Sequence, residues 1–405
     1  MSKGLNVVAV HDIPLSESDG GQALAAVALP LSAPSGRDRV HRFQAEGWEV
    51  ELRQRRRHVV ARTAHPLVGD ALLDAAIDIA HRALDLSSVE NGDHLLTEAP
   101  VDNHIMLERV DGRQIVRYQS AVAIPLAVEA KGTVAAAAPT ITHPGAWKPA
   151  FRFYRLSQSS RDHFNAYRNM FLGLEALLDE LFPKRKRENE KDWLLRSVKA
   201  GGAKVDLPRL ATPGAADPAR DLVDRLYGIR LKLFHAKIGR TLIPDDRVGY
   251  TEVADAYPLL LALWTEIARG WLSPVRRGAR LCPSVFRAMM EVDASLRFGV
   301  TSDATEPSND GEWPPIPRES PVFAFARPTS ITESRPGRLD LCGWTEVSDM
   351  PAGQVVARVV AVDDDGRPQM SDSITGGLIL EGADVFETAW TFRLVDRYQQ
   401  RASFP

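Results

Sequence analysis

A long apolar stripe at helical spacing is the feature that most restricts how this chain folds. It runs through Ser160–Phe182, where large apolar residues recur every three or four positions, and Pro183 stops it. The residues of the stripe are Phe164, Tyr167, Met170, Phe171, Leu174, Leu177, Leu178 and Leu181. A helix with such a face is stable mainly when the face is buried against other elements.

Further helices follow that can cover this stripe. A short amphipathic segment spans Trp193–Val198, and a longer helix begins at the N-cap candidate Asp217 and ends at Gly239. A strongly apolar helix spans Thr251–Leu272. Residues 151–275 are therefore predicted to form an all-α bundle of about four antiparallel helices.

The regions on either side of this bundle contain strand patterns. A chain of 405 residues exceeds one hydrophobic core, so two or three domains are expected. In residues 1–150, β-type runs and one helix predict an α+β domain, with segments at Gly47–Arg53, His58–Thr63, Val68–Leu86 (the helix), Asn103–Arg109 and Gln114–Gln119. In residues 276–405, strands at Val355–Val362 and Val385–Leu394 predict a β-rich domain. The predicted fold class is α+β multidomain, with a central all-α bundle.

The composition excludes several functional classes. The net charge of −3 gives no global attraction to nucleic acid, so any RNA contact has to be local. The two cysteines, Cys282 and Cys342, are far apart and are expected to be small buried residues of a cytoplasmic protein. No apolar stretch is long enough to span a membrane. No phosphate loop, nucleophile elbow or metal-ligand spacing is present, so no metal or other cofactor is expected.

Arg230 and His235, near the end of the third predicted helix of the bundle, carry the most specific chemical signal. A histidine transfers protons near neutral pH, and a guanidinium holds charge that develops on a phosphate. The two positions are about 140° apart on an ideal helix and do not share a face. The helix has one apolar stripe for the bundle core, formed by Leu222, Leu226, Ile229 and Leu233. A second stripe, formed by Val223, Tyr227, Leu231, Phe234 and Ile238, predicts a two-fold homodimer interface that brings two such pairs together.

This arrangement resembles the HEPN superfamily (higher eukaryotes and prokaryotes nucleotide-binding). The matching residues are Arg230 and His235 in an R-x4-H motif, with Glu175 on the earlier long helix as the acidic candidate. The segment Phe151–Ser159 and the helix after it are also similar to a bacterial family named after methylamine-utilisation gene clusters. The HEPN resemblance covers residues 151–275.

The resemblance implies a function for these residues. Many HEPN proteins are metal-independent endoribonucleases that act as dimers in toxin–antitoxin, CRISPR-linked and phage-defence systems. It therefore implies an RNA substrate, catalytic roles for Arg230, His235 and Glu175, and an antitoxin or defence partner. The basic run Lys184, Arg185, Lys186 and Arg187 is the candidate for RNA phosphate contacts, because a protein of net charge −3 needs local cations for that purpose.

Two other interpretations remain open. The chain is alternatively a non-catalytic HEPN-fold module that dimerises for interaction or sensing, with Arg230 and His235 structural. Leu231 favours this alternative, because the position after the arginine is often polar in active members. An accessory factor in enzyme maturation is the third interpretation. In both alternatives, Glu175 is an ordinary partner of a basic residue.

Overall fold

The computed structural model contains extensive helices and sheets, which confirms a mixed α+β fold. It describes residues 7–18, 21–35, 40–91, 94–125, 147–160, 162–234, 247–272, 287–288, 296–306, 314–320, 322–325, 330–335, 338–351, 353 and 355–395. The chain divides into two compact units. The first unit contains Met1–Pro125 and Leu281–Leu394, and the second contains Leu126–Arg280 and Val395–Pro405.

The first unit is built mainly from β-strands. In its N-terminal part these are β1 (Val8–Val10), β2 (Ile13–Pro14), β3 (Glu17–Ser18), β4 (Gly21–Gln22), β5 (Ala25–Pro30), β6 (His41–Ala45), β7 (Trp48–Leu52), β8 (His58–Thr63), β9 (His104–Val110) and β10 (Arg113–Pro125), with helix α1 (Gly69–Asn91). The C-terminal part adds β11 (Arg297–Thr301), β12 (Phe323–Ala324), β13 (Ser330–Arg335), β14 (Arg338–Glu346), β15 (Val355–Val362), β16 (Pro368–Leu380) and β17 (Val385–Val395).

Strands from both ends of the chain share two large sheets. The six-stranded sheet has the order β12-β11-β15-β16-β1-β2, and the nine-stranded sheet has the order β13-β14-β17-β10-β9-β5-β8-β7-β6. In the first sheet β1 pairs antiparallel with β16, so that Val8 lies opposite Leu380. The chain therefore divides differently from the prediction of separate domains at 1–150 and 276–405. The physical reason is long-range pairing of β1 with β16 and of β10 with β17, which local patterns do not encode.

Buried polar contacts join different parts of this unit. The Tyr118 hydroxyl on β10 donates a 2.6 Å hydrogen bond to Asp372 on β16, which links the nine-stranded and six-stranded sheets. Burial is the main cause that raises the pKa of both groups. Arg62 on β8 is fully buried and donates to the carbonyl of Pro14 at 2.8 Å and to Glu49 at 2.6 Å. It also pairs with Glu51.

The local turns follow the sequence closely. The β-type runs predicted at Gly47–Arg53 and His58–Thr63 pair as an antiparallel hairpin, in which Trp48 on β7 lies opposite Thr63 on β8. The β9–β10 turn has positive φ at Asp111 and Gly112, as a two-residue hairpin requires. Cys342 on β14 is exposed, contrary to the prediction, because it lies on the outward face of this alternating strand. Cys282 lies outside the described residues.

The described part of the second unit is helical. Its helices are α2 (Pro149–Ser159), α3 (His163–Leu181), α4 (Glu190–Gly201), α5 (Pro218–Phe234) and α6 (Arg247–Leu272), with 3-10 turns at Gly202–Lys204 and Leu207–Arg209. Helix α3 contacts α2, α4, α5 and α6, so it is central among them. The residues of the long stripe from Phe164 to Leu178 are all buried. No described helix combines the length and apolarity needed to cross a membrane.

Candidate functional site

Side-chain caps fix the starts of the helices that carry the candidate residues. Asp162 accepts a 2.7 Å hydrogen bond from the backbone N–H of Asn165 at the start of α3. Asp217 accepts from the N–H of Arg220 at 3.2 Å, as predicted for the N-cap of α5. Asn189 accepts from the N–H of Asp192 at 2.8 Å and caps α4. These caps stabilise the ends of the helices and fix their first turns.

Arg230 is the centre of a partly buried charge cluster. Its Nη2 atom lies 2.8 Å from Oε1 of Glu190 and 3.7 Å from Oε1 of Glu175. The Arg230 side chain is only 15% exposed, and Glu175 and Glu190 are 18% and 32% exposed. The structure thus brings together Arg230 on α5 and Glu175 on α3, two residues that the sequence singled out. It adds Glu190, the first residue of α4.

The carboxyl of Glu175 titrates near neutral pH. Its pKa is raised to about 7, mainly by burial and in smaller part by the neighbouring Glu190 carboxyl. The positive charge of Arg230 opposes this rise without cancelling it.

Two aromatic rings flank the guanidinium. The Cζ atom of Arg230 lies 5.6 Å from the ring centroid of Tyr227 and 5.1 Å from that of Phe234. Burial, followed by the negative charge of Glu190, raises the pKa of the Tyr227 hydroxyl. The Nε atom of Arg230 is buried and has no hydrogen-bond partner among the described residues. The rings and the two carboxylates together restrict where the guanidinium can move.

The end of α5 is fixed by an arginine that the sequence analysis did not select. The Nη2 atom of Arg168 on α3 donates a 2.8 Å hydrogen bond to the carbonyl of Leu233. Arg168 precedes Glu175 by about two helical turns, so both lie on the same face of α3. This spacing from Glu175 is the sequence feature from which Arg168 could have been predicted to lie near the candidate site. His235 lies outside the described residues, which end at Phe234 on this helix.

The predicted RNA-binding residues form an exposed loop between α3 and α4. Lys184, Arg185, Lys186 and Arg187 are all exposed, and within the described part of the chain none has a carboxylate within 4 Å. The positive charge of Lys184 lowers the pKa of Glu175, by less than that of Arg230 does.

The backbone of the loop is anchored behind these cations. Arg196 donates to both carboxylate oxygens of Glu188 at 2.8 and 2.9 Å, and to the carbonyl of Pro183 at 3.0 Å. Glu188 in turn accepts from the backbone N–H of Arg185. The hydrogen bonds from Arg196 are the largest cause that lowers the pKa of Glu188 to about 2. These hydrogen bonds fix the backbone of the loop, and the side chains of Lys184, Arg185, Lys186 and Arg187 stay exposed to solvent, where an anion can bind them.

The predicted dimer stripe is only partly at the surface. Leu231 is 38% exposed, and Tyr227 and Phe234 are half-buried. Val223 is only 5% exposed, so it belongs to the core of the chain and is not available to a second subunit. The reason is that α5 packs against α3, α4 and α6, so its core stripe is wider than predicted. Ile238 lies outside the described residues.

Neither a metal-ligand cluster nor a similarity to known proteins identifies the chemistry of this site. Among the described residues, no group of three or more His, Cys, Asp or Glu side chains is arranged to hold a metal ion. The chain matches no protein-family profile, no curated protein and no solved structure.

Proposed function

We propose that this chain is a metal-independent endoribonuclease whose site is formed around Arg230. The observation that carries the proposal is the buried contact between Arg230 and Glu175, a carboxyl with a pKa of about 7. A fixed cation beside a group that exchanges protons near neutral pH suits acid–base chemistry on a phosphodiester. A perturbed pKa at a charge cluster is typical of functional sites.

The proposed reaction is an internal transesterification of RNA. The 2′-oxygen attacks the adjacent phosphorus as His235 accepts its proton, and the bond between phosphorus and the 5′-oxygen breaks. The leaving 5′-oxygen receives a proton from the protonated carboxyl of Glu175, so the products carry 2′,3′-cyclic phosphate and 5′-hydroxyl ends. Arg230 stabilises the additional negative charge on the pentacoordinate phosphorus.

Glu175 has two tasks in this proposal. Its carboxyl orients the guanidinium of Arg230, from which it is 3.7 Å away. Because it titrates at about pH 7, it also supplies a second proton-exchanging group beside the phosphate. A carboxyl at its ordinary pKa would be almost fully ionised at neutral pH and would exchange protons poorly.

The loop Lys184–Arg187 provides the proposed contact to the RNA backbone. Its four side chains are exposed, and Lys184 acts electrostatically on Glu175. Cations that neutralise phosphates release bound counterions, so binding should weaken steeply as salt rises. The exposed Leu231 is the proposed centre of a homodimer contact on α5.

A second candidate function is a non-catalytic module that dimerises for interaction or sensing. The observation that favours it is the engagement of Arg230 by two carboxylates, which gives the arginine a structural partner. In that case the charge cluster would hold α3, α4 and α5 together. RNA cleavage distinguishes the two functions.

The test is incubation of the purified protein with RNA in excess EDTA, beside a His235→Ala variant. We expect the wild type to cleave and to leave 2′,3′-cyclic phosphate ends, because no step requires a metal. The His235→Ala variant should not cleave. Strict dependence on magnesium or manganese would contradict the mechanism. Absence of cleavage by the wild type would favour the non-catalytic module.

A further inference from the structure

Glu190 is bonded to the same guanidinium nitrogen of Arg230 that faces Glu175. Its Oε1 atom lies 2.8 Å from Nη2 of Arg230, which is a charge-assisted hydrogen bond. Carboxylates and phosphates both present oxygens that match the fork of a guanidinium. Since Arg230 is 15% exposed and its other partner is Glu175, a phosphate that approaches from solvent meets Glu190 on the same nitrogen.

The two carboxylates differ in how firmly they are placed. Glu175 lies in the middle of α3 and is 18% exposed, so its backbone is fixed on both sides. Glu190 is the first residue of α4 and is 32% exposed. A negative side chain in the first turn of a helix is stabilised there by the helix dipole. The helix dipole of α4 therefore still stabilises the charge of Glu190 when that side chain leaves Arg230. Glu175, in the interior of α3, is not at a helix N-terminus and has no such stabilisation.

The cations that would attract RNA lie directly before Glu190 in the chain. The loop Lys184–Arg187 is exposed, and the Glu188–Arg196 pair anchors it at the start of α4. A polyanion on this loop would bring negative charge close to Glu190 and repel its carboxylate. The same polyanion would offer Arg230 a phosphate in exchange.

We propose that Glu190 is a latch that holds Arg230 in place of a phosphate and releases it when a strand of RNA binds the loop Lys184–Arg187. The inference rests on the proposed function for the role of Arg230. The exchange replaces one anion by another on the guanidinium, so Arg230 is never left without a partner. Glu190 acts through Arg230 and is a regulatory contact of the site.

The experiment measures binding of a 2′-O-methyl RNA oligonucleotide, which lacks the attacking hydroxyl and is not cleaved. Glu190→Gln removes the charge that competes with phosphate, so we expect affinity to increase about tenfold, the scale of one hydrogen bond to a charged group. Glu190→Asp keeps the charge but has a shorter reach, so it should give a smaller increase. Glu252→Gln is the matched control, because Glu252 is an ion-paired carboxylate of the same unit that pairs with Lys232.

A double variant identifies the contact responsible. The double variant Glu190→Gln/Arg230→Ala should bind the oligonucleotide no more tightly than Arg230→Ala alone. Without the guanidinium of Arg230, the loss of the Glu190 charge makes no site available for a phosphate. The proposal is overturned if Glu190→Gln binds no more tightly than Glu252→Gln, or if the gain persists without Arg230. It is also overturned if neither the wild type nor Glu190→Gln binds the oligonucleotide.

Cleavage of unmodified RNA by the wild type separates this inference from the proposed function. If the wild type cleaves RNA but Glu190→Gln binds it no more tightly, the proposed role of Glu190 is wrong and the proposed nuclease activity is supported. If the increase in affinity of Glu190→Gln depends on Arg230 but the wild type cleaves no RNA, the proposed role of Glu190 is supported and the proposed nuclease activity is wrong.

Discussion

The guanidinium of Arg230 on α5 lies 3.7 Å from the carboxylate of Glu175 on α3, and both side chains are less than one-fifth exposed. A charge in such surroundings is costly without a partner. The two residues are therefore coupled, and a change to either one alters the protonation or position of the other.

Glu175 should make folding stability depend on pH. Its pKa is about 7 in the folded chain and 4.5 ordinarily. Between about pH 4.5 and pH 7 the folded state binds more protons than the unfolded state. The contribution of protonated Glu175 to the free energy of unfolding is therefore complete below about pH 4.5 and is lost as pH rises through about 7. We expect the stability of the wild type relative to Glu175→Gln to fall across this window by at most about 3 kcal/mol. Urea unfolding of both proteins at several pH values measures this difference, and a constant difference would contradict the raised pKa.

The exposed face of α5 should mediate self-association. Leu231 is 38% exposed on a helix whose other apolar residues are partly or fully buried. Leu231→Glu places a charge in the proposed contact and should convert a dimer to a monomer in light scattering. Val89→Glu on α1 is the matched control, because Val89 is 87% exposed on the other unit. A wild type that is monomeric at micromolar concentration would exclude this interface.

The buried arginine of the first unit should be important for stability. Arg62 is 2% exposed and pairs with Glu49 and Glu51, which are 7% and 0% exposed. Arg62→Met removes one positive partner of two buried carboxylates. Because Arg53 still pairs with Glu51, we expect a loss toward the lower end of about 3–5 kcal/mol in the free energy of unfolding. Arg82→Met is the control, since Arg82 is 52% exposed and its ion pairs should contribute less than about 1 kcal/mol. Similar losses for both variants would disprove the role of burial.

Local sequence signals predicted the helices and hairpins well. Asp217 caps α5, Pro183 follows the end of α3, and the runs predicted at Asn103–Arg109 and Gln114–Gln119 correspond to β9 and β10. Each of these features depends on residues that are close in sequence, and the apolar periodicity around them fixes the type of element. Such signals do not extend to the pairing of β1 with β16, which depends on contacts between the two ends of the chain.

The candidate site was predictable only in part. The R-x4-H motif selected Arg230 and the HEPN resemblance implied Glu175, and the structure brings them within 3.7 Å. Glu190 was visible only as one of several acidic residues after the basic run. Its position against Arg230 depends on how α4 and α5 pack together, which the connecting segment between Gly202 and Asp217 does not reveal.

Cleavage by variants of the R-x4-H pair tests the central claim most directly. We expect Arg230→Ala and His235→Ala each to lower turnover of RNA in EDTA by about 10²-fold or more. His235→Ala should keep the melting temperature and mass of the wild type, whereas Arg230→Ala should keep the mass but melt at a lower temperature, because it removes the positive partner of Glu175 and Glu190. Arg225→Ala is the matched control, because Arg225 lies on the same helix, is 47% exposed and pairs with Asp221. It should cleave like the wild type. A folded His235→Ala variant that cleaves RNA as fast as the wild type would contradict the account and leave the non-catalytic module as the function of this chain.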